Sequence, residues 1–346
     1  MKFNLYYTFK VIVKCGLFFY SKKITVNGTE NIPENEAVLF AANHPNGLLD
    51  PLLIAANIKR RTYFLVQAAV FSNTISKKIF QKLGMMPIYR IRDGIGKLDR
   101  NKQIFLACEE LFLYKKSILI FPEGSHQRKR TIRPLSKGFT RFVFSFLDKY
   151  PQHKIYIVPV GITYQNPAVY PSSASVNFGK PILANKFYNT ENTNQSANEI
   201  KQEVSLALQK LSVHIPNNEN YSTIENTLIR NNVDFTKVTE VNQQIAKSSF
   251  KVNPKKQYSL GFLKLLIIIN TLFPYILWEV IRKKINEVEF LDTFRFSVNL
   301  VFVFVNYLVV SIIIGYIFNL NAAYLYFSIS LLLVATFTKF SATKPG

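Results

Sequence analysis

Cysteine is scarce in this chain: two residues, Cys15 and Cys108, among 346. Neither belongs to a Cys-x-x-Cys pair, so the sequence carries no sign of a thiolate metal site or a dithiol redox centre. Both are expected as small buried apolar residues in a reducing compartment. Acidic residues are also few. Asp and Glu total 21 against 43 Lys and Arg, a net charge of +22. Such a balance seeks an anionic partner, either nucleic acid or an anionic bilayer surface. The apolar residues cluster into long runs near the C-terminus, and zinc-finger spacing and other local nucleic-acid motifs are missing, which favours the bilayer. A composition that is 48% apolar is unlike a disordered basic tail. No internal repeat is visible. The apolar N-terminus is interrupted by Lys10 and Lys14 and has no small-residue cleavage site, so a signal peptide is not expected. Residues 1–23 read instead as an amphipathic helix lying in a membrane interface.

From residue 24 to 215, short apolar runs alternate with longer helical patterns, the signature of an α/β domain. "AVLFAAN", "TYFLV", "SILIFP" and "KIYIVPVGITY" read as strands, and the windows 72–83, 98–114 and 136–149 as helices. In "PLSKGFTRFVFSFLDKY", Leu135, Phe139, Phe142, Val143 and Phe146 fall near helical spacing and predict a core-facing stripe. Residues 216–257 turn polar and read as a linker carrying one or two weak helices. Residues 258–346 hold three apolar stretches. The second, 297–318, is long enough to cross a bilayer, for which about 20 residues are needed. With 322–338 it forms an expected transmembrane hairpin whose charge-free turn, Asn319-Leu320-Asn321, lies away from the cytoplasm. The first stretch, 260–281, is flanked by Lys255 and Lys256 before it and by Arg282, Lys283 and Lys284 after it. A re-entrant element bent at Pro274 keeps both clusters on the cytoplasmic side.

Four short blocks carry the chemistry. In "AANHPNGLLDPLL" a strand runs into His44, the chain turns at Pro45-Asn46-Gly47, and Asp50 follows. On a regular helix these two side chains would sit roughly 120° apart. Across a strand, a turn and a helix start they can meet, and Asp50 can then fix the imidazole tautomer and leave a base. In "SILIFPEGSHQRKRTIRPLSKG" a strand ends at Phe121-Pro122-Glu123-Gly124-Ser125 and opens into a basic loop with Arg128, Lys129, Arg130 and Arg133, whose guanidinium groups suit a phosphate. "GMMPIYRIRDG" supplies Arg90 and Arg92, and "IVPVGITY" adds a strand with Pro159 and Gly161. His126 has no acid near it in sequence and reads as a polar neighbour of the site rather than a second base.

In order and spacing, these blocks resemble the glycerolipid acyltransferase family, the bacterial PlsC-like enzymes and their eukaryotic relatives. The usual Asn-His, four residues, Asp is here Asn43-His44, five residues, Asp50. The longer spacing, the Ser125-His126-Gln127-Arg128 run and "PYILWEVIRKKINEVEFLDTFRF" are similar to the fungal-type glycerol-3-phosphate and dihydroxyacetone-phosphate acyltransferases. "VNFGKPI", residues 176–182, fits the family's closing strand and turn. The resemblance implies a PlsC-like domain, a mixed sheet flanked by helices, with an N-terminal interfacial helix and a C-terminal membrane helical region. It implies His44 as general base and Asp50 as its orienter. Arg90, Glu123 and Gly124 would shape the glycerol-phosphate pocket, with Ser125, Arg128, Asn46, Phe121 and Pro122 at the substrate. The donor would be acyl-CoA or acyl carrier protein, and the acceptor 1-acylglycerol 3-phosphate, or else glycerol 3-phosphate or dihydroxyacetone phosphate. No metal or cofactor is expected. The implied setting is the cytoplasmic face of an inner or plasma membrane. A silent lipid-binding protein that kept the fold, or acylation of another hydroxyl or amine, is the competing reading.

Overall fold

The structure, a computed structural model, describes residues 4–71, 74–89, 95–254 and 260–346. Its centre is a mixed sheet in the order β1-β7-β6-β2-β5-β3-β4, with β8 paired to β6. The strands are β1 (Lys23–Asn27), β2 (Ala37–Ala42), β3 (Thr62–Gln67), β4 (Met85–Ile88), β5 (Ser117–Ile120), β6 (Ile155–Tyr164), β7 (Ser173–Phe178) and β8 (Ile182–Leu183). From β6 through β2, β5 and β3 to β4 all pairings are parallel, while β7 and β8 run antiparallel to β6. Every residue of β2 is buried, as its unbroken apolar run requires for a central parallel strand covered on both faces.

Helices supply that cover. On one face lie α1 (Leu5–Tyr20) and α2 (Leu49–Asn57); α3 (Thr74–Lys82) links β3 to β4. On the other lie α4 (Asn101–Leu113), α5 (Gly138–Lys149) and α6 (Thr193–Leu211). The five-residue stripe from Leu135 to Phe146 is buried in this second core, where Phe142 packs on Phe105 and Phe112. Parallel strands need such crossovers, and α2, α4 and α5 are three of them. The segment expected as a polar linker contains α7 (Tyr221–Arg230) and α8 (Val238–Ala246). Its sparse apolar residues, Leu228, Val233, Phe235 and Val241, build a small core with Val213 and Ile215 that joins it to the domain.

The C-terminal region starts with α9 (Gly261–Asn270) and α10 (Leu272–Arg282), two apolar helices bent by 97°. The bend falls at Thr271, not at Pro274 as expected. Pro274 is the third residue of α10, where a backbone N–H has no intrahelical partner and its loss costs nothing. Next, α11 (Leu291–Val298) and α12 (Phe304–Ile317) join through a π-helical turn at Asn299–Val303 into one helix from Val288 to Ile317. It and α13 (Leu320–Phe340) are long and apolar enough to cross a membrane. Asn319 caps α13 by accepting from the Ala322 amide at 2.9 Å. The first helix buries Tyr6, Val13, Leu17 and Tyr20 and leaves Tyr7, Val11, Ile12 and Phe18 exposed. Of the two cysteines only Cys108 is buried; Cys15 is exposed on α1.

Candidate active site

The site forms where the parallel strands end, the edge at which open α/β sheets bind ligands. Asn43 follows β2 and extends its pairing to β6: its amide nitrogen donates to Ile162 O at 3.0 Å, and its oxygen accepts from the Ile162 amide at 2.7 Å. Anchored there, the chain turns through Pro45-Asn46-Gly47 and enters α2, with Asp50 in the first helical turn. His44 Nδ1 and Asp50 Oδ2 meet at 2.7 Å. The same carboxylate accepts from the Asn46 amide at 2.7 Å and the Tyr164 hydroxyl at 2.8 Å. Burial is the largest influence on both groups. It lowers the His44 imidazole to about 3 and raises the Asp50 carboxyl, the latter opposed by the Asn46 and Tyr164 hydrogen bonds. His44 is therefore neutral near pH 7. With Nδ1 donating to Asp50, its Nε2 keeps a free lone pair, the form a general base needs. Phe121 stacks on the imidazole at 3.8 Å between ring centres and 13° between planes, which holds the ring from a second direction.

The Phe121–Ser125 stretch leaves β5 on the same edge. Gly124 has φ of +76°, and a Cβ there would meet nothing within 4 Å, so glycine is required by backbone conformation rather than by space. The Glu123 side chain is 4% exposed and pairs with Arg133 at 2.7 Å. Burial raises its pKa, and Arg133 works against that. Arg133 also donates to Ser125 Oγ at 2.7 Å. Two cations of the basic loop are thus already engaged: Arg133 here, and Arg130, which is buried, donates to Tyr164 O and Gln165 O, and lies over the Phe235 ring. Arg128 donates to the Val288 carbonyl.

His44, Phe121, Pro122, Glu123, Gly124 and Ser125 line one cavity of about 730 Å³. Leu65, Ile88, Phe105, Ile120, Phe139 and Phe142 make its walls apolar, and Lys137 and Arg141 add positive charge. The structure thus brings together six of the ten expected site residues around one space. Asp50 and Asn46 stand behind His44, fully buried. Arg128 lies outside the cavity lining, and Arg90 is outside the described residues.

Residues 23–163 match the family model described as Acyltransferase. This stretch is an acyltransferase-family domain. It is 27% identical over 163 residues to glycerol-3-phosphate O-acyltransferase 1 of Saccharomyces cerevisiae, covering 44% of this chain and 21% of that protein. It is 28% identical over 134 residues to 1-acyl-sn-glycerol-3-phosphate acyltransferase of Borreliella burgdorferi, covering 37% of this chain and 49% of that one. The chain thus spans about half the length, or less, of the curated relatives it matches. A solved structure, the 1-acyl-sn-glycerophosphate acyltransferase PlsC of Thermotoga maritima, matches over 62% of this chain and 86% of its own at 16% identity and a TM-score of 0.43.

The acyltransferase domain takes site partners that local spacing could not reveal. Tyr164 lies 114 positions beyond Asp50. His126 finds the acid it lacked in sequence: its Nε2 is 2.8 Å from Glu287 Oε2, across 161 positions. Its ring also stands edge-on to His44, with centres 5.7 Å apart. Among the described residues, His126, Glu287 and Glu289 have ligand atoms within 4.8 Å of one another. Glu289 also sits close enough to Arg128 to feel its charge, which offsets the pull on a cation. The sequence around His126 carries no local signal for Glu287. Glu287 meets His126 only through the packing of the C-terminal segment on the domain.

Proposed function

We propose that this protein moves a fatty acyl group from acyl-CoA or acyl carrier protein to the free hydroxyl of 1-acylglycerol 3-phosphate. The observation that carries this reading is the buried His44–Asp50 pair opening on an apolar cavity. The volume lies within the range of small-molecule sites, and its apolar walls with a few polar groups suit a lipid. His44 Nε2 takes the proton of the acceptor hydroxyl. The alkoxide attacks the thioester carbonyl, the new C–O bond forms, and the C–S bond breaks to release the thiolate. The proton held on His44 passes to that thiolate. Asp50 stabilises the transient imidazolium and keeps the ring in place, and no acyl-enzyme forms. A thioester is already activated, so the reaction as proposed calls for neither metal nor cofactor. Lys137, Arg141 and the sequence-expected Arg90 provide positive charge for the phosphate.

The membrane setting follows from exposed apolar surface. α1, both helices of the bent pair and the two long C-terminal helices all leave large apolar side chains uncovered, including Val11, Phe262, Ile269, Phe273 and Ile312. Surface of that extent marks a membrane contact. Positive charge prefers the cytoplasm, and Arg282, Lys283, Lys284, Lys339 and Lys344 flank these stretches, which supports a catalytic domain on the cytoplasmic face with the Asn319 turn across the bilayer. The bent pair then enters without crossing.

Purified protein assayed with oleoyl-CoA and palmitoyl-CoA should esterify 1-acylglycerol 3-phosphate. Product from glycerol 3-phosphate or dihydroxyacetone phosphate alone would reassign the acceptor, and no ester with any glycerol phosphate would overturn the reading in favour of a silent lipid-binding protein. For topology, Lys283→Cys and Asn321→Cys variants lacking Cys15 and Cys108 should differ in intact cells. An impermeant thiol reagent should reach only position 321, and labelling at 283 would mean that the bent pair crosses.

A further inference from the structure

The turn that carries His44 is held from outside the acyltransferase domain. Asn46, buried, joins two buried carboxylates: its backbone amide donates to Asp50 and its side-chain amide donates to Asp292 Oδ2 at 3.1 Å. Asp292 lies in the first turn of α11, at the head of the helix that continues to Ile317. Its other oxygen accepts from the Tyr20 hydroxyl and from Arg295 Nη2, the latter at 2.8 Å. Arg295 also donates to Tyr20 Oη at 3.1 Å and to the Ala168 carbonyl at 2.8 Å. One residue further on, Thr293 Oγ1 accepts from the Leu48 amide at 2.9 Å. The contact leaves no slack: a Cβ on Gly47 would stand 2.9 Å from both Phe290 and Thr293.

Two features set this apart from ordinary packing. A buried carboxylate is costly unless it is paired and hydrogen-bonded, and Asp292 is buried here and paired with Arg295 at 2.8 Å. Also, both oxygens of Asp292 are engaged, and one of them is spent on the residue that aligns the Asp50 carboxylate.

We propose that Asp292 is a positioning residue of acyl transfer. Held by Arg295 and Tyr20, it fixes Asn46, and Asn46 fixes the oxygen of Asp50 that orients His44. The catalytic turn is thereby completed by the membrane helix, and a catalytic domain without that helix would hold its base loosely. The inference rests on the acyl-transfer reading of His44 and Asp50.

The test uses the full-length protein in detergent, with kcat and both KM values measured on protein shown to be folded. Asp292→Asn keeps the shape but turns a nitrogen toward donors, and should lower kcat by about 10–100-fold while both KM values stay within about 3-fold, because a slight misplacement of a base costs rate more than binding. Asp50→Asn/Asp292→Asn should be within about 2-fold of Asp50→Asn alone, since residues acting through one link do not add. Asn46→Ala keeps the backbone amide and cuts the same link from the other side. It should lose a similar factor and carries the test if Asp292→Asn does not fold. Wild-type kcat in Asp292→Asn or Asn46→Ala, or losses that multiply with Asp50→Asn, would overturn the proposal while the acyl-transfer reading stands. Wild-type protein without acyl transfer would overturn both.

Discussion

Two histidine–carboxylate pairs stand side by side in this molecule and have nearly the same length, 2.7 Å for His44–Asp50 and 2.8 Å for His126–Glu287. Their surroundings differ. The Asp50 side chain is 0% exposed and receives two further hydrogen bonds, whereas the Glu287 side chain is 63% exposed. A carboxylate free to move in water neither holds an imidazole in one orientation nor stabilises its charged form by much, because solvent screens the pair. Distance alone therefore does not make a catalytic dyad; burial and a full set of hydrogen bonds do.

The comparison can be tested by substitution. The largest effect is expected at the buried pair. His44→Ala should reduce turnover by about 10²–10⁴-fold, the range of a positioned general base. A near-normal rate in the purified variant would remove His44 from the mechanism. Next comes the support beneath the loop. Arg133→Met leaves the buried Glu123 carboxylate unpaired and should cost about 3 kcal/mol of stability, seen as a lower thermal midpoint. Adding Glu123→Gln should recover part of that loss, and no recovery would show that Arg133 matters for something other than the pair. A smaller change is expected at the exposed pair. His126→Ala or Glu287→Gln should alter kcat by no more than about 5-fold, since exposed pairs contribute about 1 kcal/mol at most. A loss matching that of His44→Ala would make His126 a second catalytic group. The smallest effect is a null one. Burial lowers His44 to about 3, so the imidazole stays neutral, and able to accept a proton, throughout the window above that value. Between pH 7.5 and 5.5, kcat/KM should hold within about 2-fold. A fall centred near the ordinary histidine value of 6.5 would show an imidazole that titrates as if in water.

The linear sequence was enough to place His44 and Asp50 across one turn and the Phe121–Ser125 stretch at the end of a strand; that the two blocks share a site was implied by the family resemblance alone. Spacing within each block is local, and strand, turn and helix start are signalled by residues that touch one another along the chain. The core stripe of α5 and the long apolar helices were legible for the same reason, since periodicity and length are properties of a single element. The basic loop was legible only as charge. Its residues divide by burial: Arg130 and Arg133 support structure, and Arg128 turns to the C-terminal segment. Residues 216–257 showed their polarity but not the small core that a few apolar side chains make with Val213 and Ile215. The bend of the first C-terminal stretch was assigned to Pro274 because proline breaks helices, yet at the third position of a helix it breaks nothing. What only the tertiary structure decided is which distant groups finish the site. Tyr164 on Asp50, Glu287 on His126 and Asp292 on Asn46 are contacts across 114, 161 and 246 positions. No periodicity or spacing encodes such contacts, because they arise when separate elements bury their polar groups against one another and each must find a partner there.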